Sequence, residues 1–365
     1  GSDLTVTLTW TPSTGGGLQT KTLAKKNAGD AGADDTDVVV DNGDGTYAVT
    51  YTATAAVDHA LDVREGVGSN AIGGDWPKNV AVTAGATDAS RSSVDQTIRR
   101  SDDQTIASTA AAGDELVLRV HAADANGNAK CYAETGDAYD AFNISVTLDG
   151  VPVANPDDVV SIPPNKTQHQ NKTGGYYDFK VTPKAAGTYA FSASLNGVEV
   201  SGTSTVTVTE GALDASSSTV DGAGLFGGLS GVNHTARVVA RDAHGNPITS
   251  GLTDGTCSAT LTATDAASSN VDVTATCELT DESKGTFDVT LLSYTAGDYK
   301  LDIKLDGAAA GDSPYEKVSF AAGGPVAKES NVTEANGADL TAAAGKETTF
   351  TLTARDEFGS ARTVG

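Results

Sequence analysis

The sequence is poor in basic residues. Its 365 residues include 24 Lys and Arg against 48 Asp and Glu, which gives a formal net charge of −24. A chain this acidic repels nucleic-acid phosphates and anionic lipid head groups. It also lacks any apolar run near the roughly 20 residues that span a bilayer. We therefore expect no nucleic-acid partner and no membrane insertion of this segment.

Cysteine is scarce as well. The three cysteines, Cys131, Cys257 and Cys277, do not form a Cys-x-x-Cys pair. Too few are present for a disulfide-dense scaffold, and the spacing disfavours zinc and thioredoxin-like chemistry. Cys131 is left open, either as a buried free thiol or as an intermolecular link.

Catalytic patterns are missing. The five histidines are scattered, and the sequence contains no Gly-x-Ser-x-Gly or His-Glu-x-x-His motif. His244 lies in a repeated turn where the other copies carry Asn126 and Phe358. Because a catalytic group does not vary between copies of one repeat, we expect no enzyme and no cofactor.

The sequence does contain a long repeat. Three segments carry a glycine followed by an aromatic-rich stretch, at Gly45, Gly175 and Gly285. The separations, 175 − 45 = 130 and 285 − 175 = 110 residues, are those of domain-sized repeats. The chain is therefore predicted to be a tandem array.

Apolar residues alternate with polar ones after each of these glycines, as in a half-buried strand. The inward positions are Tyr47, Val49 and Tyr51, then Tyr177, Phe179 and Val181, then Phe287, Val289 and Leu291. A further alternating strand begins at Tyr189 in the second copy and at Tyr299 in the third. His59 stands at that position in the first copy, and we interpret it as a core residue.

A second repeated block ends in an Asp-x-x-Gly turn. It reads LVLRVHAADANGNAK from Leu116, ARVVARDAHGNPITS from Ala236 and FTLTARDEFGSARTV from Phe350. The expected inward positions are Leu118, Val120 and Ala122, then Ala236, Val238 and Ala240, then Phe350, Leu352 and Ala354. Short strands at this spacing, with no helical period, predict antiparallel β-sandwiches.

These blocks recur in a fixed order. ARDAHGNP is followed by the Gly-aromatic strand, then by an AGTY or AGDY turn, then by GDSPYEKVSF or GGDWPKNVAV. This order resembles the filamin-type immunoglobulin-like repeat. The resemblance implies an all-β fold, an elongated array of tandem immunoglobulin-like antiparallel β-sandwiches.

The resemblance also implies domain limits. Residues 83–209 and 210–323 correspond to complete repeats, the first with an expanded loop at 156–173. Residues 1–82 correspond to the C-terminal part of a repeat and 324–365 to the N-terminal part of another. Neither part is expected to bury its own inner faces. We expect a longer protein, or partial repeats that complete one another between molecules in a filament.

Five Asn-x-Ser/Thr sequons occur, against roughly three expected by chance. They lie at Asn143, Asn165, Asn171, Asn233 and Asn331. Each is placed where a glycan would not disturb a core. We predict N-linked glycans at these positions, with accidental sequons as the alternative.

Two cysteines lie 20 residues apart in strands that match the third and fourth of the family. A bond between Cys257 and Cys277 would stabilise the repeat by roughly 3 kcal/mol and would need an oxidising compartment. The alternative is a pair of buried free thiols.

In filamins the same two strands flank the groove where partner peptides add as an extra strand. The corresponding outward positions here are Ser145, Thr147, Ser258 and Thr260. A disulfide or a glycan on Asn143 would obstruct this groove.

The acidic turns do not follow the EF-hand spacing. Asp41 with Asp44 and Asp281 with Glu282 are interpreted as solvated hairpin turns, and no metal site is predicted. Calcium between domains stays open, because the linker at 209–214 carries carboxylates.

Together these features predict a structural and adhesive repeat segment of a larger extracellular or cell-surface glycoprotein. It would act as a rod or fibre element and as a contact surface for protein partners, including copies of itself. The alternative is an intracellular, cytoskeletal filamin-like scaffold that binds partner peptides along strand edges.

Overall fold

A computed structural model describes most of the chain. The described residues are 4–12, 16–27, 36–66, 70–96, 98–100, 106–130, 140–161, 174–264, 272–334 and 344–362. They divide into two compact units. Unit 1 comprises residues 1–109, 115–182 and 188–207, and unit 2 comprises 110–114, 183–187 and 208–365.

The described segments are built from strands joined by turns. The first fifteen strands are β1 (Leu4–Trp10), β2 (Gln19–Thr22), β3 (Ala24–Asn27), β4 (Val38–Asp41), β5 (Tyr47–Thr50), β6 (His59–Glu65), β7 (Asn70–Ala71), β8 (Lys78–Val80), β9 (Ser93–Val94), β10 (Ile98–Arg100), β11 (Ile106–Ala107), β12 (Thr109–Ala111), β13 (Leu116–His121), β14 (Phe142–Leu148) and β15 (Val151–Pro152). The next sixteen are β16 (Val160–Ser161), β17 (Tyr176–Val181), β18 (Gly187–Leu195), β19 (Val198–Glu199), β20 (Ser204–Thr209), β21 (Thr219–Asp221), β22 (Gly227–Leu229), β23 (His234–Val239), β24 (Cys257–Ala263), β25 (Val273–Asp281), β26 (Thr286–Ser293), β27 (Gly297–Leu305), β28 (Ala308–Ala309), β29 (Tyr315–Ala321), β30 (Asn331–Glu334) and β31 (Phe350–Thr353).

Helical structure in the described part is limited to short 3-10 turns. They lie at Pro156–Asp158, Ala223–Phe226, Asp254–Thr256 and Glu282–Lys284. Among the described residues, no helix is long and apolar enough to cross a membrane.

The main sandwich of unit 2 has two sheets. One has the order β21-β23-β26-β25 and the other β22-β29-β27-β24, with β28 paired to β27. A single apolar core lies between them, and its largest members include Phe287, Tyr299 and Ile303. A separate two-stranded sheet is formed by β30 and β31.

Four more sheets belong wholly or mostly to unit 1. Their orders are β2-β1-β6-β7 with β8 on β6, β3-β4-β5, β11-β10-β13-β17-β16 with β9 on β13, and β12-β20-β18-β14-β15 with β19 on β18. The predicted all-β class is therefore confirmed, as tandem immunoglobulin-like sandwiches. β3 pairs with β4 and β22 with β29 in the parallel sense, whereas neighbours such as β13 and β17, or β24 and β27, are antiparallel.

The predicted inward faces are confirmed in the second and third copies. Buried positions include Leu118, Val120, Ala122, Tyr177, Phe179, Val181, Tyr189, Ala236, Val238, Ala240, Phe287, Val289, Leu291 and Tyr299. Alternation is reliable here because each strand has one sheet face against the core, so successive side chains alternate between core and solvent.

The N-terminal partial copy differs from expectation. Residues 4–66 do bury a small core around Val6, Leu8, Leu23 and Val39, because β3-β4-β5 and β2-β1-β6 supply two sheets. Val49, predicted to point inward, is exposed.

At the other end the expectation holds, because the inner-face residues Phe350 and Leu352 are not buried. Phe350 is 58% exposed and Leu352 is 63% exposed. In the described residues β31 pairs only with β30, and these side chains lie on a face that no second sheet covers.

His59 is a core residue, as predicted. It is 3% exposed, stacks on Trp10 with ring centroids 4.9 Å apart, and its Nε2 lies 3.1 Å from the Ala55 carbonyl oxygen. In the third copy the Tyr299 hydroxyl donates to the Thr295 carbonyl, four residues earlier, at 2.9 Å. The imidazole therefore replaces a tyrosine that closes the same turn.

Replacing His59 tests this role. His59→Ala should lower the free energy of unfolding of the β1–β8 region by about 2 to 4 kcal/mol, because it removes a stacked ring and the partner of a carbonyl. His59→Tyr should lose less, since tyrosine makes the same bond in the third copy. Urea denaturation followed by Trp10 fluorescence measures the change. An effect of His59→Ala no larger than that of Lys78→Ala, at an exposed position of β8, would contradict the assignment.

Candidate functional site

The two sheets of the unit 2 sandwich are joined at one edge. Cys257 on β24 and Cys277 on β25 form a disulfide, with their Cα atoms 5.7 Å apart. β24 is the last strand of one sheet and β25 the last strand of the other. The bond therefore crosses between the sheets beside the edge that the family resemblance identified as a peptide groove.

β24 presents an open edge in the described structure. It pairs with β27 along its length, with Ser258 opposite Lys304 and Thr260 opposite Asp302. Both Ser258 and Thr260 are exposed, while the alternate residue Leu261 is buried. The two candidate lining residues thus lie together on one accessible strand, next to the disulfide.

The corresponding strand in unit 1 is partly covered. β14 pairs with β18, and β15 folds back onto its end opposite Thr147 and Leu148. Ser145 is exposed, but Thr147 is half-buried and faces Pro152. Only the first part of β14 therefore resembles the open edge of β24.

Three of the five sequon asparagines are described, and all three are exposed. Asn143 projects from β14 two residues before Ser145, Asn233 precedes β23, and Asn331 begins β30. Asn165 and Asn171 lie outside the described residues, as does Cys131.

The acidic turns hold local hydrogen bonds. Asp41 Oδ1 accepts from the Gly43 N–H, and Asp44 Oδ1 accepts from the N–H and hydroxyl of Thr46. The bonds from Thr46 hold the pKa of the Asp44 carboxyl below its usual value. Asp281 accepts from Ser283 and pairs with Lys284 at 2.7 Å.

The carboxylate of Glu210, in the linker at 209–214, accepts hydrogen bonds from another residue of unit 2. Its Oε1 accepts from the N–H and hydroxyl of Thr249 at 3.0 and 2.8 Å. Among the described residues, no group of three or more His, Cys, Asp and Glu side chains is arranged to hold a metal ion.

The Asp-x-x-Gly turns contain carboxylates whose role the sequence did not reveal. Asp124, Asp242 and Asp356 are 3%, 1% and 1% exposed. In Asp242, Oδ1 accepts from the N–H groups of His244 and Asn246, and Oδ2 accepts from the linker Gly211 N–H at 2.8 Å. The available signal was an aspartate that recurs at the same position in all three copies of the turn.

Two opposing effects act on these carboxyl groups. Burial raises the pKa of Asp242, but the hydrogen bonds from Asn246, Gly211 and His244 outweigh it, so the pKa lies below its ordinary value. The same balance lowers the pKa of Asp124 and of Asp356. All three are therefore charged at neutral pH.

Comparison with known families identifies one repeat. Residues 212–316 match the model of the Filamin/ABP280 repeat. This segment contains β21 to β28 and both cysteines of the disulfide. The resemblance seen in the sequence is thus confirmed for the third copy. No curated protein matches the chain.

Solved structures with similar architecture come from several proteins. The Escherichia coli adhesin FdeC is 24% identical, with 76% of this chain and 77% of that chain covered and a TM-score of 0.38. Yersinia pseudotuberculosis InvD is 18% identical over 74% and 72%, with a TM-score of 0.36. The Lin-41 filamin domain is 19% identical, with 31% of this chain and 98% of that domain covered and a TM-score of 0.24.

The buried aspartates predict a defined acid response. Because their folded pKa values lie below the ordinary value of about 3.9, their stabilising contribution is complete above that pH and is lost as the pH falls through the folded pKa values. The midpoint of urea unfolding should therefore be level between about pH 5 and 7 and drop below about pH 4.

Asp242→Asn should lower the midpoint at neutral pH and make its acid dependence shallower, since the amide does not titrate. Asp221→Asn, at an exposed position of β21, is the control. Equal acid slopes for Asp242→Asn and the parent chain would show that this carboxylate does not contribute.

Proposed function

We propose that this chain is a non-enzymatic structural and adhesive repeat segment of an extracellular or cell-surface glycoprotein. It would act as a rod or fibre element and offer contact surfaces to other proteins. The observation that carries the proposal is the Cys257–Cys277 disulfide inside a filamin-type repeat.

The disulfide bears on the compartment. Such bonds persist in oxidising environments and are rare in the cytosol. A bond that closes a 20-residue separation stabilises a domain by roughly 3 kcal/mol in the chain-entropy model. A sandwich joined in this way suits a segment that must resist unfolding outside the cell.

The sequons support the same compartment. Asn143, Asn233 and Asn331 are exposed, so a glycan at any of them would extend into solvent without displacing core side chains. The acidic surface adds solubility by mutual repulsion.

These two modifications act on the candidate peptide edges. The disulfide links β24 to β25 beside Ser258 and Thr260, and a glycan on Asn143 would stand on the uncovered part of β14. Strand addition at either edge would therefore be hindered. The alternative, an intracellular scaffold that binds peptides there, requires free thiols and unmodified asparagines.

Self-association belongs to the proposal as well. Phe350 and Leu352 are exposed on one face of β31, which strands of another copy would cover in a filament.

Mass spectrometry of the protein from its native source tests the proposal. Unreduced peptides should show Cys257 linked to Cys277 and glycan mass on Asn143, Asn233 and Asn331. The same digest reads Asn165 and Asn171, and a reduced sample is the control. Free thiols with unmodified asparagines would contradict the extracellular assignment and favour the scaffold.

A further inference from the structure

We infer that the Asp-x-x-Gly turn of each repeat is a docking site for the repeat that precedes it in the chain. We call residues 124–128, 242–246 and 356–360 the junction turns. The inference rests on the proposed structural role, because a rod or fibre needs defined contacts between consecutive repeats. It assigns those contacts to specific side chains.

In the junction turn at 242–246, the side-chain amide of Asn246 binds the backbone of the loop at 184–186 through both its NH2 group and its oxygen. Asn246 Nδ2 donates to the Lys184 carbonyl oxygen at 2.7 Å, and Asn246 Oδ1 accepts from the Ala186 N–H at 2.9 Å. All three residues belong to unit 2. The loop at 184–186 ends the Gly-aromatic strand of the preceding repeat, so this one side chain recognises its neighbour's backbone.

Unit 1 contains the same arrangement. Asn128 Nδ2 donates to the Thr54 carbonyl oxygen at 2.8 Å, and Asn128 Oδ1 accepts from the Ala56 N–H at 2.9 Å. Thr54 and Ala56 hold the positions in the first copy that Lys184 and Ala186 hold in the second. A contact that recurs with the same atoms in two different sequences is a property of the repeat.

Asparagine suits this task because its amide carries a donor and an acceptor side by side. The N–H and C=O groups of a loop need partners when they leave water. The bound loop offers one of each, two residues apart, and the side chain pairs with both.

The buried aspartate fixes the connecting segment at the same time. Oδ2 of Asp124, Asp242 and Asp356 accepts from the N–H of Gly85, Gly211 and Gly323, at 2.9, 2.8 and 3.1 Å. Each of these glycines lies in the linker that enters the repeat. The junction turn therefore holds both the linker and the loop of the preceding repeat.

The residue directly before the glycine of the junction turn adds a packing contact. The His244 ring fills the space beside Gly113, and the Phe358 ring fills the space beside Gly231, where a Cβ on either glycine would overlap it. Gly113 and Gly231 occupy equivalent positions in consecutive repeats. Both have positive φ values, 90° and 75°, which glycine adopts without strain.

The third junction turn makes fewer hydrogen bonds to the preceding loop and more aromatic contacts. Ser360 replaces asparagine and accepts from the Ala296 N–H at 3.0 Å. Phe358 packs on Tyr294 with ring centroids 5.0 Å apart, and the buried Ser230 hydroxyl donates to Asp356 at 2.8 Å. The partner of a junction turn is thus a filamin-type loop with an N–H at the position of Ala56, Ala186 or Ala296.

Amide hydrogen exchange on the full chain tests this inference. Asn246→Ala should raise the exchange rate of the Ala186 amide at least about tenfold, because its acceptor is lost, while the Leu301 and Ile303 amides in the core of the same sandwich stay unchanged. Asn246→Ser should retain part of the protection, since Ser360 makes this bond in the third junction. Ser258→Ala, exposed on β24, is the control.

An unchanged Ala186 rate in a folded Asn246→Ala chain would overturn the inference. If that variant loses protection throughout its own sandwich, Ser360→Ala decides: a faster Ala296 amide supports docking, and an unchanged one refutes it. These rates do not depend on thiol oxidation or glycans. An exchange result that refutes docking therefore leaves the extracellular assignment untouched, and the reverse also holds.

Discussion

A carboxylate buried at the end of a strand organises each of the turns at 124–128, 242–246 and 356–360. Placing an ionised group where water is excluded is unfavourable unless hydrogen bonds replace the lost solvation. Asp242 receives these bonds from its own turn and from the linker, so the linker supplies part of what replaces water around the carboxylate. One carboxylate thereby holds both its own turn and the linker that enters the repeat.

The sandwich next to this turn is stabilised by different means. Its two sheets meet through an apolar core and are joined at one edge by the disulfide. The resemblance to filamin-type repeats places the candidate peptide groove at that edge, so the proposed role assigns the bond two effects, added stability and reduced access for a partner strand.

The fold could be predicted where one local rule determines the outcome. Alternation identified the inward residues from Leu118 to Val181 and from Ala236 to Leu291, because a strand against a core has a period of two. It placed Phe350 and Leu352 on one face of β31, but alternation defines a face and says nothing of what covers it. The histidine at position 59 was recognised because tyrosines marked the same place in two other copies.

The junction contacts were out of reach of the sequence alone. The Asn128 to Thr54 bond joins residues 74 positions apart, and the Asn246 to Lys184 bond joins residues 62 apart. A repeated Asp-x-x-Gly reads as a turn because aspartate and glycine favour turns for local reasons. Only the fold shows that the same aspartate is buried and that its Oδ2 accepts a hydrogen bond from the linker.

The central claim is that a buried carboxylate holds each linker, and the unmodified chain can test it directly. Amide exchange of Gly85, Gly211 and Gly323 should be about a hundredfold slower than the intrinsic rate of the same residues in an unstructured peptide. Slow exchange at all three linker glycines would support the account. Exchange at the intrinsic peptide rate would show that the linker amides are free and would contradict it.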